Sequence, residues 1–232
     1  MLSYEVEKKV FSPHTLANIL KLKSKGIIKY LEGVVKEGKE SVVYSAKDFN
    51  DNFLAIKIYR VEHCDFKRMY NLLITDERIK NLKKSRYKIV AKWAEREFDN
   101  MKIAYDAGVS MAKPITFLNN VLVMEFLGID GKPFPRLCDV KIDEEIARKL
   151  FEEIIDDVKK LLNKELIHGD LSIFNILFDG NKHYLIDFSH GVKKSNILWK
   201  SILKRDLENL VNYFKKYFEV DNNFLDKFFQ EI

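Results

Sequence analysis

The chain has 232 residues, 47% hydrophobic and 32% charged, with 40 basic against 35 acidic side chains, a balance that places it among soluble globular proteins. No apolar run is long enough to span a membrane and no signal-peptide pattern opens the chain, which speaks against a membrane role. Cys64 and Cys138 are its only cysteines, so no disulfide framework is expected and a reducing, cytoplasmic setting follows.

Leu16, Ile19, Leu20 and Leu22 fall on or near one helical stripe behind Ser12-Pro13, which predicts a helical extension over residues 1–32. Gly33 to Tyr59 reads as strand–turn–strand, with Val42-Val43-Tyr44 and Leu54–Tyr59 flanking the turn Asp48–Asn52. Residues 62–88 are polar and weakly periodic, the pattern of a long flexible insertion. The basic cluster Lys80, Lys83, Lys84, Arg86 and Lys88 fits a solvated loop as well as it fits an RNA-phosphate contact. A strong helix follows, carrying Val90, Trp93, Ala94, Glu97, Phe98, Met101 and Tyr105 and stopping at Gly108. Pro114 to Phe126 gives a strand pair around Asn119-Asn120. Asp143–Asn163 is helical with Ile146, Leu150, Ile154, Val158 and Leu161 on one face, and a last helix carries Leu203, Leu207, Leu210 and Phe214. Strands first and helices later point to an α+β chain of two lobes, 33–127 and a reduced helical 128–232, hinged near Gly128–Asp139.

Between the last two helices stands His168-Gly169-Asp170-Leu171-Ser172-Ile173-Phe174-Asn175, followed by Ile186-Asp187-Phe188. Four residues separate Asp170 from Asn175 and Asp187 comes twelve positions later, the spacing of a kinase catalytic loop and its metal-binding Asp. Phosphoryl transfer needs a carboxylate beside the incoming hydroxyl, here Asp170. It also needs oxygen ligands that hold Mg2+ on the nucleotide phosphates, here Asn175 and Asp187. Leu166-Ile167, Ile176–Phe178 and Tyr184–Ile186 read as short strands that set these groups at strand ends around one cleft. A lone H-x-D is more often an ordinary loop; the full set with its flanking strands is not.

Lys57, in Ala55-Ile56-Lys57, sits where a kinase strand carries the Lys that grips nucleotide phosphates, although a surface Lys on an edge strand would read the same way. Its orienting carboxylate is expected from the following helix: Glu97, four residues after Trp93 and next to Phe98, in preference to Glu95. The phosphate-covering loop should lie in Lys36–Tyr44, where Gly38 is the only glycine and Lys39 and the Ser41 hydroxyl would reach phosphate directly. Taken alone that stretch is a plain hairpin turn. Val121–Leu127 precedes Pro133 and Pro135, and there the backbone of Glu125 and Leu127 would meet the adenine edge with Met124 behind it. The bland alternative is the end of a core strand.

Together these residues resemble a RIO-type atypical protein kinase, most closely the first RIO subfamily. The resemblance rests on Gly38-Lys39-Glu40-Ser41 with Val43-Tyr44, Ala55–Tyr59, Trp93–Asn100, Ala107-Gly108-Val109 and Val121–Gly128. It continues through Pro133–Leu137, His168–Ser172, Asn175-Ile176-Leu177, Ile186–Ser189 and Arg205–Leu210, nearly the whole chain in order. It implies a two-lobed protein-kinase-like fold, ATP with Mg2+ or Mn2+, nucleotide contacts that include Glu40 and Val43, and a role in maturing the small ribosomal subunit. It implies neither DNA nor membrane as partner. It also implies that Asp187 can accept phosphate transiently. Glu37-Gly38 in place of Ser-Thr-Gly, Phe188 in place of Val, and His190 in place of Gln depart from the subfamily pattern.

Only 45 residues follow Asp187 and no Ala-Pro-Glu segment occurs among them, so little peptide platform is expected. Phosphorylation of itself, or ATP turnover as a switch, fits better than general protein phosphorylation. Two rivals remain. A small-molecule phosphotransferase of the aminoglycoside or choline kinase kind shares His-Gly-Asp and Ile-Asp-Phe, but Gly38-Lys39-Glu40-Ser41 argues against it. A slow, nucleotide-gated assembly module is the non-enzyme reading.

Overall fold

Ser12 opens helix α1 (Pro13–Ser24): its hydroxyl oxygen accepts the Thr15 N–H at 3.4 Å and Pro13 takes the first helical position, where no N–H is missed. The computed structural model describes residues 10–232; the first nine residues of the expected extension 1–32 lie outside the described residues. Chain contacts divide the molecule into two compact units, residues up to 99 with 112–133, and residues 100–111 with 134–232.

The first unit is built on a five-stranded sheet. Its strands are β1 (Tyr30–Glu37), β2 (Ser41–Lys47), β3 (Phe53–Tyr59), β4 (Pro114–Leu118) and β5 (Val121–Glu125), in the antiparallel order β1-β2-β3-β5-β4. Strand alternation sends Leu54, Ile56 and Ile58 to one face, where they join Ile19 and Leu22 of α1 in a core. Tyr59 joins the core on the other side with Trp93, Val90 and Ala94 of a long helix, α3 (Arg86–Asp106). Covered on both faces, β3 is buried at every position but its first.

Three sequence expectations change here. Strand β1 begins at Tyr30, inside the expected helical extension, because the chain turns at Gly26 and buries Ile28 and Leu31. Residues 62–88, expected as a flexible insertion, contain helix α2 (Phe66–Ile74). Asp65 caps it through the Arg68 N–H at 3.0 Å, and Met69 and Leu73, four apart, are fully buried in the core beside Trp93. The expected division at 127/128 shifts as well. A small hairpin, β6 (Gly128–Ile129) with β7 (Lys132–Pro133), packs with the first unit, and residues 100–111 pack with the second.

The second unit is mostly helical. Helix α4 (Glu144–Asn163) starts at Asp143, which accepts the Ile146 N–H at 2.8 Å. Helix α5 (Trp199–Phe214) and the short α6 (Phe224–Gln230) follow the site segment. Between α4 and α5 lie β8 (Leu166–Ile167), β9 (Ile176–Phe178), β10 (His183–Leu185) and β11 (Val192–Lys193), paired β9 with β10 and β8 with β11. Gly108, at φ 77°, ends the run from α3 in a left-handed cap. No helix of the described residues is long and apolar enough to cross a membrane, and both cysteines are free thiols.

Candidate active site

In the first unit, β3 brings Lys57 and Tyr59, two residues apart, to the face opposite Ile56 and Ile58. Lys57 Nζ donates to Glu97 Oε1 at 2.7 Å, and the Tyr59 hydroxyl donates to Glu97 Oε2. The pair is dry: the side chains of Lys57 and Glu97 are 8% and 2% exposed. Glu95 lies on the surface of α3 instead, bound to Lys92 at 2.6 Å and 37% exposed. The difference follows from the helix, since Glu97 is one turn beyond buried Trp93 while Glu95 is turned away from it.

The loop between β1 and β2 is a tight turn, Gly38 N–H donating to the Ser41 carbonyl at 2.9 Å. Arg60, the residue after β3, holds it from below through the carbonyls of Gly38 and Lys39 and the Glu37 carboxylate. Lys39 is exposed and Ser41 half-buried, and Val43 is paired across the sheet with Lys57. The Glu40 carboxylate accepts the Asp65 N–H at 3.0 Å and binds Arg68 at 2.8 Å, tying the loop to the start of α2. At the end of β5, Met124 is half-buried, Leu127 is half-buried and Glu125 is exposed. The Glu125 N–H donates to the Lys113 carbonyl at 2.9 Å, so of its backbone groups only the carbonyl is left to serve a ligand.

In the second unit, the loop after β8 brings Asp170 and Asn175 together. Asn175 Nδ2 donates to the Asp170 carbonyl at 2.8 Å and to its carboxylate at 2.9 Å. Asp187 follows at once, because Ile186 N–H donates to the Asn175 carbonyl at 3.0 Å. Asp187 has φ 67° and ψ 72°, a left-handed conformation that Asp tolerates better than most side chains but that still costs about 1 kcal/mol or more. Its Oδ1 accepts the Ser189 hydroxyl at 2.6 Å, and Asn100 Nδ2 fastens the following turn through the carbonyls of Phe188 and Gly191.

His168 and Asp206, which had no expected duty, position this loop. His168 Nε2 lies 3.2 Å from the Ile186 carbonyl, which can only accept, so Nε2 carries the proton. Nδ1 then accepts the Asp170 N–H at 3.4 Å, and burial pushes the ring down to about 4, keeping it neutral. One ring therefore touches the backbone at Asp170 and at the residue before Asp187. Gly169, at φ 82°, has no room for a side chain because a Cβ would strike the His190 carbonyl. Its N–H donates to Asp206 Oδ2 at 2.8 Å, and its carbonyl accepts from Arg205. Burial outweighs these contacts and raises the Asp206 carboxyl to about 6. Asn209 adds a third anchor from α5, to the Leu171 carbonyl at 3.1 Å. The only sequence signal for these contacts was the run Arg205–Leu210, which carried family likeness without a role.

Comparison with known proteins follows the same lines. Residues 42–226 match the RIO domain family model. The RIO-type serine/threonine-protein kinase Rio1 of Methanocaldococcus jannaschii is 38% identical over 94% of this chain and 73% of its own length. That of Haloferax volcanii is 33% identical over 92% of this chain and 73% of its own. Among solved structures, the Rio2 kinase of Chaetomium thermophilum in its ADP/Mg2+-phosphoaspartate complex superposes with a TM-score of 0.71 at 18% identity, over 90% of this chain and 62% of that one. That likeness shows the α+β protein-kinase-like fold. The sequence matches establish that the chain belongs to the RIO family of serine/threonine-protein kinases, on its Rio1-like branch.

Proposed function

We propose that this chain uses ATP and a divalent cation to pass the γ-phosphoryl group to a serine or threonine hydroxyl, its own included, or transiently to its own Asp187. The observation that supports this most is the double contact from Asn175 Nδ2 to the carbonyl and carboxylate of Asp170. It fixes the Asp170 carboxylate while committing only the nitrogen of the amide, so that the amide oxygen can serve a cation. No three His, Cys, Asp or Glu side chains among the described residues form a metal-holding group. A cation held by Asn175 and Asp187 and completed by phosphate and water oxygens suits Mg2+, which keeps few protein ligands, and Mn2+ as well. Bound there, the ion would neutralise charge on the nucleotide phosphates.

The remaining duties follow from chemistry. Lys57, oriented by Glu97, grips phosphate oxygens as a buried ammonium. Gly38, Lys39, Ser41 and Val43 lie along the nucleotide, and Met124, the Glu125 carbonyl and Leu127 take the adenine. Asp170 accepts the proton of the attacking hydroxyl. Where Asp187 is the acceptor, its carboxylate oxygen bonds to the γ-phosphorus as the bond to ADP breaks. A water deprotonated by Asp170 then clears the acyl phosphate.

We infer further that the partner is a precursor of the small ribosomal subunit, met in the cytoplasm through RNA phosphates. Residues 77–92 hold seven basic side chains against Glu77, a charge of +6 where the whole chain carries +5. Lys80, Lys83, Lys84, Arg86 and Lys88 are all exposed, and Arg86 and Lys84 rest on the rings of Phe66 and Tyr70 at 4.9 and 5.6 Å. Cations held in this way lose less freedom on meeting phosphate.

The test is incubation with γ-labelled ATP and Mg2+, followed by acid and hydroxylamine treatment of the protein. Acid-stable label marks a hydroxyl acceptor and hydroxylamine-labile label marks Asp187. The absence of both label and ADP release would overturn the reading.

A further inference from the structure

A buried phenol must place its hydroxyl somewhere, and Tyr59, 2% exposed, places it on the carboxylate that orients Lys57. Its ring packs among Trp93, Val90 and Met69, a task that phenylalanine would do equally well. The hydroxyl therefore calls for its own explanation. Lys57 takes Oε1 of Glu97 at 2.7 Å and Tyr59 takes Oε2, and both come from one face of the same strand. A carboxylate held at one oxygen can still swing about its last torsion. Held at both oxygens by two side chains of fixed spacing, it cannot swing without losing a buried hydrogen bond. The Lys57 ammonium also lies 5.1 Å from the centre of the Tyr59 ring, so the three groups form one packed unit.

We propose that Tyr59 is a positioning residue for nucleotide binding: its hydroxyl locks the Glu97 carboxylate and thereby sets where the Lys57 ammonium stands. The proposal rests on the reading that Lys57 grips the phosphates of ATP. Tyr59 touches no substrate; it acts through Glu97.

The experiment is a double-mutant cycle. Affinity for a non-hydrolysable MgATP analogue, KM for ATP and kcat are measured for wild type, Tyr59→Phe, Lys57→Ala and the double variant, with melting temperatures alongside. Tyr59→Phe is expected to weaken analogue binding and raise KM about tenfold, with a smaller change in kcat, as a misplaced binding group does. In the Lys57→Ala background the same change is expected to cost less than about twofold, because the group being positioned is gone. Wild-type nucleotide affinity in Tyr59→Phe beside a crippled Lys57→Ala would reduce the hydroxyl to packing and overturn the proposal. Equal losses in both backgrounds would do the same. Normal ATP binding in Lys57→Ala would instead remove the reading beneath it, and the proposal with it. Should Tyr59→Phe melt too low to assay, its effect on melting is compared in the wild-type and Glu97→Gln backgrounds. A smaller loss beside the neutral amide supports the proposal, and equal losses contradict it.

Discussion

Asn175 holds Asp170 at two points, its Nδ2 lying 2.8 Å from the backbone carbonyl and 2.9 Å from the carboxylate. The residue proposed to hold the metal thereby also aims the residue proposed to take the proton, and a change at Asn175 disturbs both. Asn175→Ala is expected to weaken MgATP binding and to lower kcat by about 10^2-fold, the scale of losing a positioned general base. Asn175→Asp, which can bind a cation but cannot donate to Asp170, should recover MgATP affinity better than kcat. Equal recovery of both would argue against the aiming role.

Glu97 and Glu95 stand two positions apart on α3 in opposite environments. Glu97→Gln leaves the buried Lys57 ammonium without its carboxylate and is expected to cost about 3–5 kcal/mol of stability along with most ATP use. Glu95→Gln removes an exposed pair with Lys92 and should change stability by less than about 1 kcal/mol. Urea unfolding and ATP turnover of the two variants decide the matter, and a larger loss at Glu95 would mean that the wrong helix face has been assigned.

Much of this was legible in the sequence for physical reasons. Asp170, Asn175 and Asp187 lie in one short segment, so local turns and two-residue strands fix their distances and spacing alone carries the geometry. Glu97 could be told from Glu95 because a helix repeats every 3.6 residues and Trp93 marks the buried stripe. Contacts between distant segments were not legible. Gly169 and Asp206 are 37 residues apart, and nothing in the intervening sequence announces their hydrogen bond. Helix α2 escaped because only Met69 and Leu73 of its nine residues are buried, too few to stand out among charged neighbours. The left-handed backbone of Asp187 is set by Ser189 and Asn100, which no residue-type rule connects.

His168 and Asp206 flank Gly169 and titrate in opposite senses. Burial lowers His168 from 6.5 to about 4, so its contribution to stability is present above pH 6.5 and is lost as the pH falls through 4. Burial raises Asp206 from 3.8 to about 6, so its contribution is present below pH 3.8 and is lost as the pH rises through 6. On acidification Asp206 offsets His168. Asp206→Asn should therefore lose about 3 kcal/mol more stability than wild type between pH 7 and 4, two pKa units at 1.36 kcal/mol each. Parallel stability curves for the two proteins would contradict the assigned shift.

The basic stretch gives a prediction independent of catalysis. If the stretch meets small-subunit precursor RNA as proposed, replacing Lys80, Lys83 and Lys84 together by Glu should weaken that binding and flatten its salt dependence by about two to three in the log–log slope. ATP turnover without RNA should be unchanged, since none of the three belongs to the proposed site. Unaltered RNA affinity would leave the stretch a solvated loop.

The central claim is that Asp170 performs chemistry and does not merely bind nucleotide. The direct measurement is made on Asp170→Ala: MgATP affinity, steady-state ADP release and γ-phosphate label retained on the protein, in one preparation. Affinity is expected to stay within a few-fold of wild type while transfer to a hydroxyl falls by about 10^2-fold or more. If Asp187 is the immediate acceptor, hydroxylamine-labile label accumulates on it because the clearing water is no longer activated. Wild-type turnover with wild-type label in Asp170→Ala would contradict the account, whatever the motif and the geometry suggest.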